Sequence, residues 1–257
     1  HLVNLLAKLA VIKKKPHRLR KFVNKVRTVS DTKRAFYSLH TRPIKTIYRR
    51  VVEELMVEIH LLSVNIDFHY NPIYALGIVT TFERFMMGYK PQHEKESIFH
   101  ALIQSVGADP NIYRQDTQRL RSLAIDLPVS DLIGWLNQTS PLDKDEKIQE
   151  TLQAFANNQG FKYSRLFGIG LYTLLELSDS ELVKDEKLCN DALKTISNGL
   201  KISEENLIRD LELYRSNLEK MSQAITVMAD MVAAERRKRE QPTQVLDESI
   251  TSPEEKE

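Results

Sequence analysis

The sequence is poor in the residues that build covalent or metal-held scaffolds. Its 257 residues include one cysteine, Cys189, and eight glycines. One cysteine excludes an internal disulfide framework, and it excludes a metal site made of several cysteines within the chain. Scarce glycine beside abundant Leu, Glu, Lys, Ala and Ile favours helices. We therefore expect a helical protein whose fold depends on an apolar core.

Long hydrophobic runs are also missing. The longest uncharged apolar stretch after residue 27 covers roughly 72–82. This is about half the length that a membrane-spanning helix requires. The body of the protein therefore offers no transmembrane candidate, and any contact with a membrane is expected to be peripheral.

Acidic residues are absent from residues 1–27, which carry nine Lys or Arg. The rest of the chain holds 28 basic and 35 acidic residues, so a basic arm precedes an acidic body. This asymmetry suits an anionic partner such as a membrane surface or a nucleic acid. Three interpretations of the arm remain open: a targeting segment, an amphipathic surface anchor, or an extension absent from the working protein.

Apolar spacing and cap signals predict a succession of helices with short breaks. Ser30 is the expected first N-cap, and Asn198-Gly199 indicates a helix stop. The helix over 44–65 has a widened apolar face, so we expect it to be central. No segment alternates apolar and polar residues between hairpin turns, so strands are not expected. The first nine predicted helices cover 30–40, 44–65, 72–88, 94–105, 110–125, 131–138, 144–157, 165–177 and 180–198.

The last predicted helix is the longest. It is capped by Ser203 and runs to Glu240, about 55 Å at 1.5 Å per residue. Its apolar residues alternate spacings of four and three, as in a heptad repeat. We leave two interpretations open: the helix packs on its own domain over part of its length, or it projects or joins an intermolecular coiled coil. The heptad residues are Leu207, Leu211, Tyr214, Leu218, Met221, Ile225, Met228 and Val232.

A basic cluster, Arg236–Arg239, ends this helix, where positive charge complements the helix dipole. The sequence thus predicts four regions. These are a basic extension over 1–27, an all-helical, bundle-like domain over 28–200, a coiled-coil-like helix over 201–240, and a disordered acidic tail over 241–257.

The carboxylates near His60 do not have the spacing of a metal site. A di-iron bundle uses Glu-x-x-His, but Val57 and Leu61 stand three residues after Glu54 and Glu58. Arginines four residues before glutamates instead predict ion pairs on one helix face. The predicted pairs are Arg49–Glu53 and Arg50–Glu54.

Other candidate sites are equally incomplete. Glu96 and His100 could share a metal, but no second pair accompanies them. Gly168 and Gly170 lack the rest of a dinucleotide fingerprint, so we expect them to let helices approach closely. No recognised nucleic-acid module matches. We therefore expect no catalytic residue, metal, cofactor, small-molecule ligand or nucleic-acid partner.

Three segments closely resemble the thylakoid formation protein family of cyanobacteria and plastids, and a fourth resembles it more loosely. The similarity is dense from about Val26 to Asp116 and continues more loosely to about Arg239. The segments are TVSDTKRAFYSLHTRPI (Thr28–Ile44), IYRRVVEELMVEIHLLSVN (Ile47–Asn65), YNPIYALGIVTTFERFMMGY (Tyr70–Tyr89) and DLELYRSNLEKMSQAI (Asp210–Ile225).

This resemblance implies an all-helical, non-enzymatic factor in photosystem II biogenesis and repair and in thylakoid membrane formation. It would lie at the cytoplasmic or stromal face of the thylakoid and stabilise FtsH-type AAA+ protease complexes. A peripheral membrane organiser acting directly on lipid is the alternative, and an enzyme or metal protein built on Glu54, Glu58 and His60 is a third. The predicted partner contacts are Tyr214, Met221, Met228, Met231, Arg236, Arg237 and Lys238.

Overall fold

The structure, a computed structural model, describes residues 27–142, 145–158 and 161–240, except the side chains at 155 and 240. Within these ranges the chain forms helices and turns without a strand, which confirms the all-α prediction. The extension over 1–26 and the tail over 241–257 lie outside the described residues. The helices are α1 (Val29–Leu39), α2 (Thr46–Ser63), α3 (Pro72–Phe85), α4 (Gln92–Ser105), α5 (Pro110–Asp126), α6 (Val129–Leu136), α7 (Glu146–Ala156), α8 (Arg165–Ser178), α9 (Glu186–Leu200) and α10 (Glu204–Glu240).

Side-chain caps explain where several helices begin. The N-cap of α1 is Thr28, which forms a reciprocal capping box with Asp31; the prediction of Ser30 was wrong by two residues. Asn71 caps α3, and Asp109 caps α5, each immediately before a proline at the first helical position.

Arg27, counted with the basic extension, donates a hydrogen bond to the carbonyl oxygen of Ser105 at 2.8 Å. This last residue of the predicted extension thus contacts the folded body.

The start of α9 was predicted six residues too early. Asp185 is the N-cap of α9, and its side chain accepts from the backbone N–H of Leu188. The segment before it forms turns because Asp179 accepts hydrogen bonds from the backbone N–H groups of Glu181 and Leu182. An aspartate that satisfies local N–H groups in this way competes with helix formation.

The end of α9 differs from the predicted stop at Asn198-Gly199. The helix continues through Gly199, and Lys201 takes the left-handed conformation with φ 56°. A Cβ at Gly199 would lie 2.4 Å from the Cα of Asn137, so this glycine permits a close approach between the end of α9 and the segment after α6. Gly199 is therefore needed for close packing, and the left-handed residue that ends the helix is Lys201.

Replacing Lys201 with glycine is expected to stabilise the protein by about 0.5–1 kcal/mol. A non-glycine residue in the left-handed region costs about 1 kcal/mol, and glycine removes this cost. Part of the resulting stabilisation is lost because glycine has a larger conformational entropy in the unfolded chain. Urea denaturation followed by circular dichroism measures the change. Ser180→Gly, in an exposed turn and outside the left-handed region, serves as the control, and a stabilisation of the same size there would contradict this explanation.

Two helices, α3 and α8, form the middle of the core. Every residue from Ile73 to Phe82 is buried, as is every residue from Leu166 to Leu175. A Cβ on Gly77 would lie 1.7 Å from the carbonyl oxygen of Leu166, and one on Gly170 would lie 2.0 Å from that of Ile73. Backbone therefore packs directly on backbone, which confirms that Gly170 allows close helix approach.

The helix α2 is not central, contrary to the prediction from its apolar face. Leu55 and Ile59 are buried, but Val57, Leu61 and Val64 on the other side are exposed. Of the residues that widen the apolar face, Val52 and Met56 are buried and Val57 is exposed, while α3 and α8 occupy the centre. The remaining helices surround this pair: α5 and α10 contact both α3 and α8, while α1 packs against α2 and α4.

Two buried histidines connect α1 to its neighbours. The Nδ1 of His60 lies 2.8 Å from the hydroxyl of Thr32, and the Nδ1 of His40 lies 3.0 Å from the hydroxyl of Ser97. Each histidine residue is 3% exposed. Burial lowers the pKa of His60, helped by Arg27 and opposed by Asp31. Both side chains therefore stay neutral in the folded protein near neutral pH.

Acidification is expected to destabilise the fold through these histidines. Burial also lowers the pKa of His40, opposed by the Glu94 carboxylate and helped by Arg42. Because both folded-state pKa values lie below the ordinary 6.5, the unfolded chain binds more protons as the pH falls below that value. The associated stability is present above pH 6.5 and is lost as the pH falls through the folded-state pKa values.

Urea denaturation at several pH values between about 7.5 and 5 would measure this loss. A double variant, His40→Asn with His60→Gln, is expected to show a shallower dependence of the free energy of unfolding on pH. His69, which is exposed, provides the control His69→Gln. An unchanged slope in the double variant would contradict the assignment.

Candidate functional site

The long helix α10 divides into a packed part and a projecting part. Leu207, Leu211 and Tyr214 are buried against the body, and Ile225 packs near Gly88, 3.6 Å from the position of a Cβ there. From residue 226 to residue 239 every position is exposed. The heptad pattern therefore serves the chain's own core over its first part, and it continues on the exposed end.

The projecting end carries an apolar stripe and a basic terminus. Four large apolar side chains within two turns of α10 are between 44% and 64% exposed: Val227, Met228, Met231 and Val232. The cluster Arg236–Arg239 follows within the next two turns and is exposed as well. Large apolar side chains on neighbouring turns form a contiguous patch, which is a common mark of an interaction surface.

A groove lies beside α10, between that helix, α2 and the start of α8. Its volume is about 630 Å³. Residues from α3 contribute at its base. The apolar lining residues include Ile47, Val51, Leu55, Phe85, Leu166, Ile169, Met221 and Ala224.

Charged side chains of the groove pair with one another. Arg50 Nε lies 2.9 Å from a carboxylate oxygen of Glu54, and the Arg165 guanidinium lies 2.5 Å from Glu58. Burial opposes the charge of Arg165, but the neighbouring carboxylate of Glu58 raises its pKa, so it stays positive. Lys220 on α10 is exposed, and within the described ranges no carboxylate lies within 4 Å of it.

The predicted contact residues fall into two groups. Tyr214 is 3% exposed and Met221 is 8% exposed, so they do not lie on the exposed part of α10 where the sequence placed them. Both line the groove, and as partner contacts they stay predictions. Both point inward because they belong to the heptad face that packs on the body. The ring of Tyr214 meets Phe85 edge-on at 6.0 Å, and burial raises the pKa of Tyr214 to about 12.

The remaining predicted contacts lie on the projecting end. Met228 and Met231 are 44% and 62% exposed, and Arg236, Arg237 and Lys238 lie on the exposed last turns. These five stay predictions as partner contacts.

Sequence reasoning missed the groove itself. The groove's wall on α10 includes Asn217, Met221 and Ala224, and the same helix face continues to Met228 and Met231 with alternating steps of four and three. This face shares Met221 and Met228 with the heptad stripe, and its other positions include a polar residue, Asn217, and a small one, Ala224. The periodicity of α10 does not reveal the groove, because the opposite wall of the groove comes from α2 and α8, which are distant in sequence.

The carboxylates of α2 and its one histidine, His60, are used in structural contacts. Glu53 accepts hydrogen bonds from Tyr37 at 2.7 Å and from Lys33 at 3.0 Å, instead of forming the predicted pair with Arg49. The predicted Arg50–Glu54 pair is confirmed. In the described ranges, no three His, Cys, Asp or Glu side chains are grouped to hold a metal ion.

The candidate pair on α4 is also occupied by a structural contact. Glu96 pairs with Arg114 at 2.7 Å, and the same guanidinium lies 4.1 Å from the ring centroid of Phe99.

Among the helices that the structure describes, none has the length and apolarity needed to cross a membrane.

The fold and the site define an all-α protein with a groove beside a long, partly projecting helix. The chain belongs to the thylakoid formation protein family, whose model matches residues 28–243. Protein Thf1 of Nostoc punctiforme is 64% identical over 231 residues, covering 90% of this chain and 98% of the relative. Protein Thf1 of Trichormus variabilis is 63% identical over 230 residues, covering 90% and 99%.

A solved structure supports the architecture. The structure of Psb29 at 1.55 Å matches with a TM-score of 0.73 and 43% sequence identity. The match covers 84% of this chain and all of that chain. The resemblance that the sequence segments indicated is thereby confirmed, as is the all-α fold, and the chain is related to thylakoid formation.

Proposed function

We propose that this protein is a non-enzymatic accessory factor in photosystem II biogenesis and repair, which binds and stabilises an FtsH-type membrane protease at the thylakoid surface. The observation that carries the proposal is the projecting end of α10, with four exposed apolar side chains followed by a basic cluster. Membership of the thylakoid formation protein family supports the thylakoid setting. The sequence resemblance described above supports the protease as partner.

Physical considerations favour a binding role for this helix end. Exposed apolar side chains gain free energy when a partner covers them, roughly 25 cal/mol for each Å² removed from water. Methionine side chains adapt their shape to different surfaces because they are unbranched and flexible. Basic residues at the end of the stripe attract an acidic partner and orient it.

A test of the proposal is co-purification of the tagged full chain from thylakoids solubilised in mild detergent. Protease subunits are expected in the eluate, and their abundance in the membrane is expected to fall when the protein is depleted. Recovery of ribosomal or other soluble proteins alone would contradict the proposal. The purified protein is expected to show no proteolytic activity of its own.

A second candidate function is organisation of the thylakoid membrane by direct contact with lipid. The observation that favours it is the same stripe, because an apolar face beside basic residues also suits an anionic bilayer. Flotation with anionic liposomes separates the two candidates, and comparing chains with and without residues 1–27 assigns any binding to the extension or to the body. Strong flotation without any protein partner would favour the lipid function.

A further inference from the structure

We propose that the groove and the seam of α10 that extends from it form one docking surface for an amphipathic helix of a partner protein, with acidic residues at one end. By the seam we mean Asn217, Met221, Ala224, Met228 and Met231. This inference rests on the proposed function, since it defines the chemistry of the partner that the projecting helix would bind.

The dimensions of the groove match a helix. Its wall on α2 runs from Thr46 to Glu58, and its wall on α10 runs from Tyr214 to Ala224. At 1.5 Å per residue these walls are about 18 Å and 15 Å long, or roughly three helical turns. A groove between two long helices with an apolar floor accepts the side chains at positions i, i+3 or i+4, and i+7 of an amphipathic helix.

The seam lengthens the surface beyond the groove. From Asn217 to Met231 the helix rises about 21 Å. Two of the four exposed apolar residues, Met228 and Met231, lie on the face that lines the groove. An occupant seated in the groove and lying along α10 therefore covers Met228 and Met231 without bending. In this proposal the groove and the seam form one continuous surface.

The charges around the surface select an acidic occupant. The pairs Arg50–Glu54 and Arg165–Glu58 offset each other within the groove. Lys220 at the rim and the cluster Arg236–Arg239 at the far end supply five positive charges, against one carboxylate, Glu235, where the seam continues beyond Met231. Acidic side chains near the end of the occupant that reaches this cluster complement it and fix the direction of binding.

The same observations disfavour two other occupants. A bilayer is flat on this scale and does not fill a concave groove between α2 and α10. The α10 of a second copy would bring its own basic cluster against Arg236–Arg239 in a parallel arrangement, or towards Lys220 in an antiparallel one. Like charges meet in both cases, which disfavours association.

The test uses the full chain, carrying a photo-crosslinking amino acid at one position, in intact cyanobacterial cells. Positions Asn217 in the groove and Met231 on the seam are compared with Thr226, which is exposed on the opposite face of α10. Both test positions are expected to form adducts with one segment of one protein, at least ten times more than Thr226. Mass spectrometry of that segment is expected to show helical apolar spacing and acidic residues at one end.

Other outcomes overturn the proposal. Adducts to lipid, to a second copy of the chain or within the same chain would each contradict it, as would adduct yields equal to that at Thr226. The variant Ala224→Trp, which fills the groove, is expected to reduce capture at Met231 at least tenfold. Ala233→Trp places the same bulk away from the seam and is expected to leave capture unchanged, with thermal denaturation confirming that both variants fold.

The failure of this inference is distinguishable from failure of the proposed function. Co-purification of the protease without adducts at Asn217 would leave the proposed function standing and remove the groove as its contact. Adducts to an acidic helix of a protein other than the protease would support the docking surface and contradict the identity of the proposed partner.

Discussion

Replacing Gly170 with alanine is expected to destabilise the fold by about 3 kcal/mol or more. The new Cβ would lie 2.0 Å from the carbonyl oxygen of Ile73, well inside van der Waals contact. The obstacle is the backbone of a buried helix, which cannot rotate away as a side chain can. Relief requires α3 and α8 to separate, and that opens the core along both helices. The gain in helix propensity from glycine to alanine, about 1 kcal/mol, is too small to compensate.

Urea denaturation followed by circular dichroism measures this effect, and Gly134→Ala is the matched control. A Cβ at Gly134 in α6 would first meet the hydroxyl of Ser140 at 3.2 Å, which is the end of a side chain that can move. We expect Gly134→Ala to change stability by less than about 1 kcal/mol. Gly77→Ala, on the facing helix, is expected to resemble Gly170→Ala. Equal effects at Gly134 and Gly170 would mean that backbone contact does not limit the approach of α3 and α8.

Reversing the charge of Arg236, Arg237 and Lys238 to glutamate is expected to abolish co-purification of the partner while the body stays folded. All three side chains are on the exposed last turns of α10, beyond the part that packs on the body. Their replacement puts negative charge at the negative end of the helix dipole, which costs at most about 1 kcal/mol per residue and only at the helix end. Repulsion of an acidic partner is the larger effect.

The co-purification is compared with that of Lys147→Glu, Lys187→Glu and Lys194→Glu combined, which makes the same change in net charge at exposed positions of α7 and α9. This control is expected to retain the partner. Thermal denaturation of both variants should show a single transition close to that of the parent chain. Loss of the partner in both variants would indicate a general effect of net charge. Retention in both would remove the basic cluster from the contact.

Local signals in the sequence located most of the helices because caps and periodicity act over a few residues. Asp109-Pro110 and Asn71-Pro72 indicate helix starts, and both are confirmed. The errors arose where two local signals competed. At the start of α9, Asp179 and Asp185 both offer caps, and Asp179 stabilises a turn instead of a helix.

The site was harder to predict than the fold. The heptad stripe of α10 correctly indicates a buried face, but it does not say what covers that face. Tyr214 and Met228 have equivalent places in the repeat, yet one is 3% exposed and the other 44% exposed. The difference is set by how far the body extends along α10, and that depends on helices far away in the sequence.

Local spacing and segments that can be recognised in isolation were enough to predict the all-α class, the family and the long amphipathic C-terminal helix. The central position of α3 and α8, the projection of α10 after Ile225 and the groove beside it became visible once the helices were packed together. Those features depend on which faces meet across long separations in sequence. The close contact at Gly77 and Gly170 places α3 against α8, and α2 and α10 then border the groove.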